Sequence, residues 1–506
     1  MKVYNLAVLL GGAAVASASA ALHPSTDLKF AANPIFDGWF ADPEIRVYDD
    51  VYWIFMTTSM KFKDQKYFEA WSTQHPNILT AGVVPWVKDS MWAPASTKGP
   101  DGKYYLYFSD HTGVRKDKRP NAGMAVAVAD KPEGPYKDAL NGTRLFDDAV
   151  HGAYPMDPDV FVDDDGERYF YFGGGKKSNV GMLDDDMVSF RRINSSSSAK
   201  GKDDEYFKIT TPKPSKFEEG TKIFKRKGKY YMMWSEYGYG DEKYQVAYGT
   251  SDSPLGPFSP KGVVLKQDPQ IAVATGHNSV LNIPGTDTWY IVYHRRPLHE
   301  TNVDHRVVAM DRMYFDVDGN IKPVKMRVED DFDDGLLSLV LWKQRTGIWA
   351  ITDGGDLRGS GLDALTLMDT HFKDLIYGAE ITLEGDDSEA GLTFRTSRSK
   401  DKEQPAAFNG YAVWLKASTG EVILGHQTGH DKVQMAILKS SSGRHIKSGK
   451  KYCVRVVFKG TAVSVYVDDM VIPLMDVVDT SHGVGQNGLW VRRGRALFDN
   501  VWIRHP

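Results

Sequence analysis

Five short stretches carry side chains suited to acid–base work or to stacking on a flat ligand. They are Asp42 in "WFADPEI", Trp92 in "MWAPAS", Asp157 in "YPMDPDVF", Glu219 in "FEEGTKIF" and His277 in "GHNSVL". Two carboxyl groups facing each other across a pocket, one ionised and one protonated, can split a glycosidic bond. The acid protonates the leaving oxygen while the base activates water or attacks directly. A third carboxylate beside the acid raises its pKa by like-charge repulsion, so that it keeps its proton near neutral pH. Taken singly, none of these residues is informative. Asp-Pro at 42 and 157 is a common strand-entry turn, and Asp163, Asp164 and Asp165 in "VDDDGE" read as a solvated hairpin turn. What sets the five apart is a shared place in a repeat.

The repeat is an aromatic pair followed by alternating apolar residues. It occurs as "VYWIFM" at Tyr52, "KYYLYF" at Tyr104, "RYFYFG" at Tyr169, "KYYMMW" at Tyr230 and "TWYIVY" at Trp289, with spacings of 52, 65, 61 and 59 residues. Each run is rich in β-formers and follows a Gly- or Asp-containing turn, which predicts the second strand of a hairpin. The spacing exceeds what one sandwich strand needs and suits a four-stranded blade. Five blades around an axis make a β-propeller, which leaves only short, protected strand edges. The five residues singled out lie ten to twelve positions before the aromatic pairs. That is the strand before each hairpin turn, the innermost strand of a blade, so the repeat predicts that they converge on a central channel. Long segments between the aromatic runs, residues 60 to 90 and 186 to 215, are expected to wall off one end of it and favour action on chain ends.

Composition narrows the class. The chain has 506 residues, 42% hydrophobic and 12% aromatic, enough for several domains with full cores rather than a disordered chain. A formal net charge of -4 argues against nucleic acid or an anionic membrane as partner. The opening "MKVYNLAVLLGGAAVASASA" has Lys2, an apolar run too short to span a bilayer and a small-residue end, and reads as a cleaved secretion signal, residues 1–20. No later stretch is long and apolar enough to cross a membrane, so the expectation is a soluble, extracellular protein. The single cysteine, Cys453, excludes an intramolecular disulfide framework and is expected to sit half-buried in a strand, "KKYCVRVVF". The sequons Asn141-Gly-Thr and Asn194-Ser-Ser fit secretion.

Over roughly residues 33 to 325 the chain resembles glycoside hydrolase family 43. The resemblance is carried, in the family's order, by "FADPEI", "MWAPAS", "MDPDVFVDDDG", "EEGTKIFKRKGKYYMMWSE", "GHNSV" and "WYIVYHRR". It implies a five-bladed propeller and an inverting mechanism. Asp42 would be the general base that activates water, Glu219 (rather than Glu218) the general acid, and Asp157 the residue that orients Glu219 and raises its pKa. Acid and base would stand roughly 6.5–9.5 Å apart. His277 resembles the family's axial histidine, which lies near a cation or an ordered water. No cofactor is implied as required and no residue is assigned as a metal ligand, but the resemblance leaves room for a structural calcium or sodium ion on the axis near His277. Arg306 resembles an arginine that holds sugar hydroxyls and a carboxylate. Trp39, Phe40 and Trp92 are either propeller core or the aromatic wall of a sugar pocket.

From "EDDFDDG" at 329 a second pattern begins, with short alternating strands such as "YGAEITLEG", "YAVWLKA" and "YCVRVVFKG" and no helical period. It predicts an antiparallel two-sheet sandwich. The fold class expected is therefore all-β, a propeller over residues 21–326 followed by a sandwich over 327–506. The sandwich resembles concanavalin-like domains, particularly family 66 carbohydrate-binding modules, and either binds glycan or braces the propeller. The whole reads as a secreted monomer that removes terminal α-L-arabinofuranosyl residues from arabinose- or xylose-containing plant polysaccharides or oligosaccharides. Within the family, β-D-xylosidase, β-D-galactofuranosidase and endo-arabinanase stay open. The alternative of another class is an inactive glycan-binding propeller, whose mark would be loss of Asp42 or Glu219; both are present.

Overall fold

The computed structural model describes residues 32–72, 74–110, 123–146, 148–193, 202–398, 408–427, 435–441 and 445–506. The expected leader and Asn194 lie outside them. Five antiparallel sheets follow one another along the chain. Their first strands are Phe40–Tyr48, Met91–Lys98, Asp159–Val162, Phe217–Arg226 and Ala272–Asn282, and each contacts the next around a closed ring. The second strands, Val51–Thr58, Tyr104–Asp110, Arg168–Phe172, Lys229–Glu236 and Trp289–Pro297, carry the five aromatic runs. Their alternation places successive side chains in the two interfaces flanking a blade. Tyr104, Leu106 and Phe108 pack toward the first blade, whereas Tyr105 and Tyr107 pack toward the third. Local chemistry fixes the hairpins. Asp49-Asp50 and Lys227-Gly228 are two-residue loops with both φ angles positive, whose twist matches that of the flanking strands.

Two features of the blades differ from expectation. Residues 60 to 90 and 186 to 215 are not chiefly channel walls. The first contains Tyr67–Trp71 and Gln74–Thr80, the outer strands of blade one, and the second contributes Phe190–Arg191 and Phe207–Ile209 to the edge of blade three. A blade needs its outer strands, and strands as short as these leave little trace in a sequence. The fifth sheet has three strands, and the segment entering the first blade runs along its edge: the Ile35 N–H reaches Val308 O at 3.0 Å, while the Asn33 amide exchanges hydrogen bonds with the Met310 backbone (3.1 and 3.2 Å). The two ends of the ring are joined there.

The remaining strands form one large antiparallel system folded into a sandwich around Gly485–Arg504, which pairs with Leu357–Phe372, Leu375–Leu383, Glu389–Arg398 and Val328–Asp330. In Lys451–Lys459 the residues Tyr452, Val454, Val456 and Phe458 are buried, which turns Cys453 to the exposed face rather than the half-buried place expected of it. The sandwich core is continuous with the apolar layer between blades four and five, through residues such as Phe224, Tyr231 and Trp289 on one side and Trp342 and Phe372 on the other. Polar ties reinforce it: His505 to Asp268 at 2.5 Å, Ser338 to Asp37 at 3.1 Å, and a close contact of His299 with Asp369.

Candidate active site

On or just before each inner strand, at equivalent places, stands a residue in the left-handed region: Asp42 (φ 49°), Ala93 (47°), Asp157 (53°), Gly220 (67°) and His277 (37°). In the four longer inner strands the pairing register slips around this point, the mark of a bulge. Holding a non-glycine residue there costs about 1–3 kcal/mol, and such strain gathers at functional sites. The bulge takes the residue's N–H out of the sheet ladder, and a side chain from elsewhere in the ring accepts it. Thr57 Oγ1 accepts from Ala93 (2.8 Å), Ser109 Oγ from Asp157 (2.9 Å), Ser235 Oγ from His277 (2.9 Å) and His294 Nδ1 from Asp42 (3.2 Å). All four acceptors stand five residues after the first aromatic of their run. In blade three that place is Gly174, where a Cβ would lie 2.3 Å from Met156 Sδ. With no hydroxyl there, the Gly220 N–H is taken instead by Asp157 Oδ2 at 2.9 Å.

The ring brings Asp42, Asp157, Glu219, His277 and Arg306 together, and adds two residues that the sequence reading did not include. His294 lies 3.3 Å from Asp42 Oδ1, and Tyr244 donates its hydroxyl to Glu219 Oε1 at 2.9 Å. The repeat held a signal for His294, since it occupies the Thr57/Ser109/Ser235 position; nothing local marks Tyr244. Tyr244 stacks on His294 (centroids 5.6 Å apart, 13° between planes) and packs on Gly276, where a Cβ would meet its ring at 2.1 Å. His277 Nδ1 lies 3.4 Å from Asp42 Oδ1 and 3.8 Å from Asp157 Oδ2. Arg306 places Nη1 3.4 Å from Asp42 Oδ1, donates Nε–H to Ser59 Oγ at 2.9 Å and lies 4.8 Å over the Tyr239 ring.

The three carboxyl groups do not titrate alike. Burial alone would push Asp42 up, but the Arg306 guanidinium holds it well below the usual carboxylate range. Burial brings His294 down to about 4 and lowers His277 as well, so near pH 7 both are neutral and the charge that keeps Asp42 ionised is that of Arg306. His294 Nδ1 accepts the Asp42 amide hydrogen, which puts its own proton on Nε2. Glu219 is raised to about 7, by burial first, with the Tyr244 hydrogen bond opposing and the Asp42 and Glu218 charges adding. Asp157 is pushed well above its ordinary range by burial and then by Glu219 and Asp42. The site thus pairs one firmly ionised carboxylate with two that favour protonation, the arrangement needed for simultaneous base and acid action.

The aromatic candidates divide. Trp39 stacks flat on His305 (4.4 Å, 8°), and Trp92 packs edge-on against Phe62 at 4.7 Å with its indole N–H held by Gln65. Both are partly exposed. Phe40 instead is buried with Ile54, Tyr290 and Val308 between blades one and five, because its side chain alternates away from the channel.

A family model described as "Glycosyl hydrolases family 43" matches residues 31–321. The chain is 40% identical over 328 residues to the β-D-galactofuranosidase xynD of Aspergillus niger, covering 61% of this chain and 89% of that one. It is 34% identical to the xylosidase/arabinosidase 43A of Humicola insolens, covering 49% and 79% of the two chains. Among solved structures, a family 43 enzyme of Xanthomonas citri complexed with xylotriose aligns at 25% identity with a TM-score of 0.46, over 58% of this chain and 93% of that one. With one family model matching more than half its length, the chain belongs to glycosyl hydrolase family 43.

Proposed function

We propose that this protein is a secreted, inverting glycosidase that releases terminal furanosyl residues from a polysaccharide or oligosaccharide. The sugar is β-D-galactofuranose or α-L-arabinofuranose, which share ring configuration and differ in the exocyclic carbon. The observation that carries this is the convergence of an ionised Asp42 with the raised carboxyls of Glu219 and Asp157. Asp42 takes a proton from water as the water attacks the anomeric carbon. Glu219 gives its proton to the departing glycosidic oxygen. Asp157 acts through the backbone: by gripping the Gly220 N–H it positions the neighbouring Glu219. Trp39 and Trp92 offer faces on which a sugar can stack. The identity to a named β-D-galactofuranosidase supports galactofuranose as first choice, ahead of the arabinofuranose expected from sequence. Xylose is the second reading, favoured by the relatives named for xylosidase activity.

The test is hydrolysis of nitrophenyl β-D-galactofuranoside, α-L-arabinofuranoside and β-D-xylopyranoside, with NMR of the first anomer released. The protein should be recovered from culture medium, where its N-terminus is expected at Ala21. Inverted product from a furanoside is expected. Retained configuration would remove Asp42 as base, and binding of glycans without turnover would favour a binding propeller.

Tyr244→Phe supplies a finer test. Its hydroxyl favours ionised Glu219, so its loss raises the Glu219 pKa and moves the alkaline limb of kcat/KM upward from about 7. A hydrogen bond to a charged group is worth about 1.5–3 kcal/mol, which corresponds to a shift of about one to two pH units. A pH–rate profile that stays in place would separate Glu219 from the acid role.

A further inference from the structure

One layer along the axis from the carboxylate trio, two residues beyond the left-handed position on four of the inner strands, stand Glu44, Asp159, Lys222 and Ser279. All four are buried, Lys222 with only 4% of its surface exposed. Its ammonium has every donor used: Glu44 Oε1 and Oε2 at 3.0 Å each and Asp159 Oδ1 at 2.8 Å. Ser279 donates to Glu44 Oε2 at 3.0 Å, the Ile223 N–H to Asp159 Oδ2 at 2.9 Å, and Arg46 pairs with both carboxylates. Two carboxylates and two cations balance, so no net negative charge remains there for a further cation to neutralise. One layer up, Asp42 already faces Arg306 and Asp157 holds the Gly220 N–H. Among the described residues no group of three or more His, Cys, Asp or Glu side chains is arranged to hold a metal ion. The layer of Glu44, Asp159, Lys222 and Arg46 is therefore neutral without a bound calcium or sodium ion.

We propose that Lys222 is this propeller's built-in axial cation. Its ammonium sits between two buried carboxylates that would otherwise need a counter-cation, and ties together the inner strands of blades one, three and four. Those three strands carry or immediately follow the candidate catalytic groups. Glu44 is two residues from Asp42, Asp159 two from Asp157, and Lys222 three from Glu219. Lys222 is thus a positioning residue: it touches no substrate, and it holds the spacing of base and acid. Further along the inner strands, a cavity of about 570 Å³ is lined by Arg46, which pairs with both carboxylates of this layer.

The experiment compares the wild-type protein with Lys222→Ala, assayed with a nitrophenyl furanoside that the wild type turns over. Ionic strength is held constant with tetramethylammonium chloride, whose cation is too bulky for the vacated space. The wild type is expected to keep its rate and melting temperature after EDTA treatment and on addition of calcium. Lys222→Ala is expected to lose kcat by about 10²-fold, the scale of a small misplacement of reacting groups. Ammonium, methylammonium or calcium ions should restore part of that rate and raise the melting temperature with concentration, as binding to the folded state alone requires. A surface variant, Lys229→Ala, should show neither response. Wild-type activity that falls with EDTA and returns with calcium would overturn the proposal. So would a folded Lys222→Ala that no small cation rescues. If Lys222→Ala fails to fold, the EDTA and calcium arms on the wild type still decide. Absence of furanosidase turnover in the wild type is a separate failure, that of the substrate reading, and the melting-temperature arms read out without it.

Discussion

Glu219→Gln is expected to lower kcat/KM by about 10²–10⁴-fold on substrates with a poor leaving group, the usual contribution of a positioned general acid. On dinitrophenyl glycosides, whose leaving group departs without protonation, the same variant should lose far less. Glutamine keeps the shape and still accepts the Tyr244 hydroxyl, so the difference isolates the proton. Asp42→Asn should behave otherwise. A base that activates water is needed whatever the leaving group, so its loss, also about 10²–10⁴-fold, should be the same on both substrates. Leaving-group series measured for the two variants check this. Identical patterns would mean that acid and base have not been told apart, and a reversed pattern would exchange their roles.

Arg306→Met should produce the largest loss of stability. Asp42 and Arg306 are 8% and 5% exposed, and breaking a buried pair by removing one partner costs about 3–5 kcal/mol, because the other charge is left uncompensated. The pH dependence has a definite sign. The Asp42 carboxyl is depressed in the folded state, so its contribution is present above its unfolded pKa of about 3.9 and is lost as pH falls through the lower folded value. The gap between wild type and Arg306→Met should therefore be full near neutral pH and narrow under acid. The acid limb of kcat/KM should move up, since Asp42 loses the charge that keeps it ionised. Adding Asp42→Asn to Arg306→Met should recover much of the stability, as replacing both members of a buried pair costs less than stranding one. Urea melts of the three variants across the acid range supply the measurement. A gap independent of pH would mean that Arg306 stabilises by packing alone.

Much of the architecture was legible from local pattern. Alternating aromatic runs after short turns specify strands and their two faces, because side chains on a strand point alternately and each face must find an apolar neighbour. Five such runs at blade-like spacing specify a ring, and counting back from them reached Asp42, Asp157 and His277, each at the left-handed residue of its bulge. For blades two and four the count stopped one residue early: Ala93 and Gly220 hold that conformation, and Trp92 and Glu219 precede them. A step of one residue reverses a side chain's direction. This is why Glu219 meets Tyr244 while the neighbouring Gly220 N–H meets Asp157.

Which carboxylate each partner meets was beyond local pattern. His294 reaches Asp42 across 252 positions, Arg306 across 264, and Lys222 reaches Glu44 across 178. Residue types and strand direction follow from neighbours in the chain, and by these the sequence alone determined the blades, the sandwich and the carboxylates that face the channel. Which of those carboxylates stays ionised, which is raised, and what neutralises the layer beside them depend on closing the ring. Only closure strips water from the groups and sets a guanidinium, two imidazoles and an ammonium beside them, at distances over which desolvation and charge decide ionisation.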